Sequence, residues 1–235
     1  MLREVLDAHC KAGAESDYST TAANLAGTLN LEGKLEEADR ILGEALDRTT
    51  NRLGPNNQEV DRLRWIQIRN GIDRNRGEEA MMLGRDALAQ RSQSYPAGHP
   101  MIGAALMDHG RGLVMLGKLV EAEVLLAESV AIFGKSSAPM PHYPAWAECW
   151  YGASLAGQRR YAEAEPHLLK AETRLREART RPRRYYRQAV EQLVKLYQSW
   201  NKPDQAAQWQ KELMAFVDLQ GPSEGKGGAT TGSGR

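Results

Sequence analysis

An all-α solenoid, built of antiparallel helix hairpins stacked in chain order, is the fold that this 235-residue sequence predicts. Three observations predict it. Alanines stand at 38, 80, 122, 164 and 206, each 42 residues after the one before, and a fixed period of that length marks a repeat architecture. A short segment recurs around each alanine: Gly33-Lys34-Leu35-Glu36-Glu37-Ala38-Asp39 and Gly117-Lys118-Leu119-Val120-Glu121-Ala122-Glu123 are near copies, and residues 75–80, 159–165 and 201–206 are weaker ones. The columns of that segment, finally, read as the end of one helix and the start of another.

The first column is Gly33, Asn75, Gly117, Arg159 and Asn201, and Gly and Asn tolerate the left-handed conformation that closes a helix. The next is always basic (Lys34, Arg76, Lys118, Arg160, Lys202), which suits the exposed carbonyls of a helix C-terminus. Acids then gather at Glu36, Glu37, Glu78, Glu79, Glu121, Glu163 and Asp204, as the first turn of a helix prefers. Pro203 and Pro166 are placed in first turns, where a missing N–H is tolerated. The unit is helix, tight turn, helix, with the alanine column where the two helices cross closely. Overpacking by a larger residue at Ala122 would cost about 1–3 kcal/mol.

In chain order, residues 2–12 read as a helix with Leu2, Val5, Leu6 and Cys10 on one face. The match of Leu2-Arg3-Glu4-Val5-Leu6-Asp7 to Leu42-Gly43-Glu44-Ala45-Leu46-Asp47 makes residues 1–16 the second helix of a partial repeat. Either the start is truncated or this helix is a cap, and the first reading is preferred because caps usually show a polar outer face. Five repeats span 17–219. The first runs from about Thr20 to Leu53, burying Ala22, Leu25, Ala26 and Leu29 and then Leu35, Ala38, Ile41, Leu42, Ala45 and Leu46. The second, about Asp61 to Ser94, looks degraded: Arg64 and Gln67 stand in core columns, and Gly77 and Gly84 weaken its second helix by roughly 1 kcal/mol each relative to Ala. Local opening is expected there. The third (Met101 to Phe133), fourth (Ala145 to Arg179) and fifth (Tyr186 to Leu219) keep helical spacing throughout. Asn51 to Asn57, Tyr95 to Pro100 and Gly134 to Pro144 are rich in turn residues and read as long connections. Residues 220–235 are Gly, Ser and Thr with little to bury and read as a disordered tail.

Composition narrows the function classes. A net charge of +1 exerts no global pull on nucleic acid or an anionic membrane. No segment approaches the roughly 18 uncharged apolar residues of a membrane span. The two cysteines, Cys10 and Cys149, are far apart in sequence, so a reducing cytoplasm is expected rather than a disulfide framework.

The small residues at close-contact columns (Ala26, Gly110, Gly152 and the alanine series) and the Gly-Lys-Leu-x-Glu-Ala turn resemble tetratricopeptide repeats. The 42-residue period, with Leu53-Gly54-Pro55 and Gly98-His99-Pro100 in the connections, is similar to kinesin-light-chain-type repeats. The resemblance implies a right-handed superhelix whose first helices line a concave groove for a protein or peptide. It places the excess over the usual period in the connections. The Pro-rich last repeat also resembles arrays appended to some bacterial serine/threonine kinases. That implies an alternative: a C-terminal regulatory fragment covalently continuous with a catalytic domain upstream of Met1.

No catalytic constellation emerges, so the chain is read as a scaffold and not an enzyme, with no cofactor and no metal. Gly134-Lys135-Ser136-Ser137 ends like a phosphate loop, but Ser129 stands where its first glycine must be. The kinase triplets His-Arg-Asp and Asp-Phe-Gly are missing. His9, His99, His109, His142 and His167 never pair four apart around an acid. The basic run Arg179, Arg181, Arg183, Arg184 and Arg187 around Tyr185 and Tyr186 is read as a solvated loop in preference to a nucleic-acid patch. By helical offset, the groove residues are Arg62, Trp65, Arg69, Ile72, Met107, Arg111, Val114, Met115, Trp146, Cys149 and Lys195. Aromatic and Met contacts interleaved with Arg suit a segment carrying acidic and apolar side chains, although Trp65 and Trp146 could equally complete inter-repeat packing.

Overall fold

Apolar residues recur at helical spacing from end to end, and the computed structural model of the chain turns that pattern into eleven helices with no strand among the described residues, which are 2–13, 15–31, 34–55, 57–74, 76–135, 142–178 and 183–218. After α1 (Leu2–Ala12) come five hairpins: α2 (Glu15–Leu31) with α3 (Leu35–Leu53), α4 (Gln58–Asp73) with α5 (Gly77–Ser94), α6 (Pro100–Met115) with α7 (Leu119–Lys135), α8 (Tyr143–Gly157) with α9 (Tyr161–Glu177), and α10 (Arg183–Ser199) with α11 (Pro203–Asp218). The second helices begin at 35, 77, 119, 161 and 203, again 42 apart. Each helix packs on the next in chain order, and the first helices α2, α4, α6, α8 and α10 also pack on their counterparts in neighbouring repeats, whereas the backbones of α3, α5, α7, α9 and α11 stay apart from one another among the described residues. A stack whose first-helix layer is the closer-spaced one curves toward that layer, so the first helices form the concave side of this solenoid.

The turn inside every hairpin has one geometry. The backbone N–H of the basic residue donates to the carbonyl five positions back: Lys34 to Leu29 (2.9 Å), Arg76 to Gly71 (2.8 Å), Lys118 to Leu113 (2.9 Å), Arg160 to Leu155 (3.0 Å) and Lys202 to Tyr197 (2.9 Å). That bond satisfies a carbonyl left over at the helix end and needs a left-handed residue just before the donor. Gly117 (φ 73°), Arg159 (φ 63°) and Asn201 (φ 56°) take that conformation; Gly33 and Asn75 lie outside the described residues. Arg159 does so at a steric cost that glycine avoids.

The basic column also ties repeats together. Arg76 reaches Asp39 at 2.9 Å, Arg160 reaches Glu123 at 2.7 Å and Lys202 reaches Glu165 at 3.9 Å, each acid lying on the preceding second helix. The equivalent acid before Lys118 is replaced by Met81. Below this surface ladder the alanine column is closed to solvent: Ala38, Ala80, Ala122 and Ala164 are 0% exposed and Ala206 7%.

Several sequence expectations need correction. The connections are shorter than their turn residues suggest, and most of the period is helix. Asn51–Leu53 continue α3 until Gly54 (φ 83°), whose N–H caps Thr50 O at 2.9 Å. Pro100 opens α6 at a position needing no N–H, and His99 Nδ1 accepts from Met101 N at 3.2 Å. Helix α2 starts at Glu15 and α10 at Arg183, both ahead of the expected Thr20 and Tyr186. Repeat 2 is better packed than its sequence implies. Val60, Leu63, Ile66 and Ile68 are buried along α4, while Arg64 turns outward to Pro55 O at 3.0 Å. Its glycines serve the packing: a Cβ at Gly77 would fall 3.1 Å from the Leu116 side chain and one at Gly84 2.6 Å from His109 N, while across the contact one at Gly112 of α6 would fall 2.5 Å from Met81 N. Helices α5 and α6 therefore meet backbone to backbone. Residues 136–141, 179–182 and the 220–235 tail lie outside the described residues.

Candidate functional site

Between the N-terminal parts of α4 and α6 lies a cleft of ≈ 390 Å³, walled by Asp61, Arg62 and Trp65 of α4, Arg91 of α5, Met101 and Ala104 of α6, and Tyr143 of α8, with Tyr95 and His99 between α5 and α6. Periodicity shows why this place is polar. Arg91 occupies the column of Phe133 and Leu175, and Asp61 that of Gly103 and Ala145, so repeat 2 puts an ion pair where repeats 3 and 4 are apolar. Arg91 Nε stands 3.9 Å from Asp61 Oδ2 and Arg91 Nη1 donates to Met101 O at 3.3 Å, with Arg91 3% exposed. Arg62 sits at the rim, its side chain 38% exposed, bonded to Glu59 (2.9 Å), Ser19 (3.1 Å) and Thr20 (2.6 Å) of the first two repeats.

Aromatic rings continue from the cleft along the first helices. Trp65 lies 6.3 Å from Tyr143, Tyr143 6.4 Å from Trp146, and Trp146 4.3 Å from Tyr185. Trp65, Tyr143 and Tyr185 are half-buried; burial and the nearby Asp108 push the Tyr143 hydroxyl well above its ordinary range, so it stays a neutral donor. Trp146 is sealed, its Nε1 donating to Gln188 Oε1 at 3.0 Å. Behind it Arg111 is 0% exposed. Its guanidinium lies 3.7 Å from the Trp146 ring centre and 5.2 Å from that of Trp150, and Nη1 donates to Asp108 Oδ1 at 3.1 Å. Desolvation lowers the Arg111 pKa to about 10, with Asp108 opposing the shift, so the cation persists at neutral pH.

The expected groove residues therefore divide. Arg62 and Trp65 line the cleft. Met115 and Val114 are half-buried and Lys195 is exposed, away from the cleft. Met107, Arg111, Trp146 and Cys149 are fully buried between repeats and present no surface to a ligand in this structure; the cause is the close spacing of first helices, which covers the inner-face columns wherever a neighbour carries a large ring. The side chains of Arg69 and Ile72 lie outside the described residues. Tyr143 has no role in the sequence reading, and Tyr185, read there as part of a solvated loop, lies in α10 one period away in the same column; the Asp61–Arg91 pair is legible as two charges in apolar columns. Burial pushes the Cys149 thiol up to about 12, so it is not a nucleophile. No group of three metal-binding side chains occurs among the described residues, and no helix there is long and apolar enough to cross a membrane.

Comparison with known proteins agrees with this geometry. A tetratricopeptide-repeat family model matches residues 19–59. A crystal structure from Podosopora anserina, described as a kinesin light chain of nearly identical TPR-like repeats, superposes with a TM-score of 0.60 at 17% identity, covering 87% of this chain and 97% of that one. A single-substitution form of it gives 0.62 at 17% identity, with 86% and 95% covered. BtubC (BKLC) from P. vanneervenii gives 0.68 at 12% identity, with 94% and 90% covered. No curated protein sequence matches. A tetratricopeptide repeat is thus recognised at residues 19–59, and the solenoid is similar in fold to those of these kinesin-light-chain and BtubC structures; at these identities the likeness is one of fold.

Proposed function

We infer that this chain is a non-catalytic scaffold that binds a protein or peptide segment along its concave face, with the Arg62–Trp65–Tyr143 cleft as the main contact. The observation that supports this most is the pairing, in one cleft, of half-buried aromatic rings with a rim arginine whose side chain is 38% exposed. Aromatic and Arg anchors carry most of the energy in protein recognition, and an extended segment would lay apolar side chains on Trp65 and Tyr143 and a carboxylate on Arg62. Tetratricopeptide repeats generally bind protein partners, which favours the same reading. The two thiols fit a reducing cytoplasm as its setting.

A displayed random-peptide library selected on the full chain tests this. The expected winners place an acidic residue near an aromatic or large aliphatic one, and lose at least about tenfold in affinity (1.4 kcal/mol) to Arg62→Glu while circular dichroism stays unchanged. Selection of no peptide, or of peptides indifferent to Arg62→Glu and to Tyr143→Ala, would contradict it.

A further inference from the structure

On the opposite, convex side, helix α7 breaks the pattern of its own repeat. At the column of Val120 the other second helices carry Glu36, Glu78, Ala162 and Asp204; at that of Val124 they carry Arg40, Met82, Pro166 and Gln208. In α3 this face is charged and satisfied, with Arg40 and Glu44 paired at 2.7 Å. In α7 it is apolar and open: Val120 is 69% and Val124 65% exposed. Ala127 and Ala131 extend the line, half-buried and exposed. The spacing 120, 124, 127, 131 alternates four and three, the seam by which one helix packs along another, and the alanines let a second backbone approach closely.

Charge selects the occupant. Glu121 and Glu128, seven residues apart, lie on one flank of the seam and both are exposed, with Lys135 following seven residues on at the helix end; Glu121 also acts electrostatically on His109 of α6. Laid antiparallel with the two apolar seams centred on each other, the α7 of a second copy would set Glu121 of each chain against Glu128 of the other, and the register that brings Lys135 opposite Glu121 slides the seams out of contact, which disfavours self-association. We propose that the convex face of α7 is a second docking surface, taken by a single amphipathic helix of a partner protein, with an apolar seam and Lys or Arg along the flank that meets Glu121 and Glu128. The surface is independent of the concave cleft, so one chain holds two partners at once, one on each face.

The test uses the full chain and three-heptad helical peptides with a Leu/Ala seam, flanked by Lys or by Glu. The Lys-flanked peptide is expected to bind, to weaken with salt, and to shift α7 amide resonances. Its affinity falls at least tenfold for Val120→Glu/Val124→Arg, which restores the charges of repeat 1 at two exposed sites and leaves the fold intact. Arg62→Glu leaves it unchanged, which separates this surface from the groove. Three outcomes overturn the proposal: no binding of the Lys-flanked peptide, equal binding of the Glu-flanked one or of the double variant, or dimerisation of the chain that the double substitution abolishes, which would make the seam a contact between copies.

Discussion

The junction between repeats 2 and 3 and that between repeats 3 and 4 do the same architectural work with opposite materials. At the first, Gly84 of α5 and Gly112 of α6 let two backbones touch, with less than 3 Å of room for any Cβ. At the second, the fully buried Arg111 packs against the Trp146 and Trp150 rings and is paired with Asp108, with Phe133 and Tyr143 5.9 Å apart beside it. One junction is tight because side chains are missing, the other because large ones interdigitate. A repeat period thus prescribes where helices meet but not what fills the contact, and a column that looks weak by helix propensity can be the closest contact in the array.

Substitutions can break this contrast in order of size. The largest effect belongs to the aromatic junction: Asp108→Ala leaves the Arg111 cation buried without its partner and should cost about 3–5 kcal/mol in urea unfolding, whereas Asp108→Leu with Arg111→Met should recover most of that loss. If the double variant is no better than the single one, the pair is not what holds the rings in place. Next comes the glycine junction. Gly112→Ala drives a methyl into the Met81 backbone and should cost about 2–3 kcal/mol, while Gly27→Ala and Gly43→Ala, with nothing within 4 Å, should stabilise by about 0.5–1 kcal/mol. Equal effects at Gly112 and Gly27 would remove the close approach from the account.

A smaller effect lies in the turns that flank these junctions. Arg159 (φ 63°) stands where the preceding hairpin has Gly117 (φ 73°), so Arg159→Gly should stabilise by about 1 kcal/mol through relief of the left-handed strain, read as a rise in thermal midpoint. Smallest is a slope with pH. His109, pressed against Gly84, has its pKa lowered first by burial and then by Arg85 of α5, with Glu121 of α7 opposing. Its folded pKa lies below the unfolded one, so the unfolded chain binds the proton first. Stability is full above about pH 6.5 and falls as pH drops through the folded pKa. His109→Gln should flatten that slope; an unchanged profile would assign it to other groups.

These two junctions also mark what a reader of the sequence could see. The period, the hairpin turn and the buried alanine column are one-dimensional signals, and Ala38, Ala80, Ala122, Ala164 and Ala206 stand where the spacing puts them. The glycines of repeat 2 were misleading because propensity prices a glycine against its own helix, and its benefit here comes from α6, a different repeat. Helical offset points Arg111 and Trp146 toward the groove, but both are 0% exposed, because offset gives the face a residue points to and not whether a neighbour's ring covers it. The cleft was half legible: Arg62 and Trp65 came from offset, while Tyr143, Asp61 and Arg91 needed the columns to be compared across repeats.

Native-state hydrogen exchange on the full chain tests the central claim, that repeat 2 is divided between a close α5–α6 contact and a lighter α4–α5 one. The account predicts that α5 amides open together with those of α6, at a free energy above that of α4. Should α4 and α5 open as one unit, with α6 protected separately, the glycine junction would not be the bond that this structure makes it, and the hairpin alone would be the folding unit of the array.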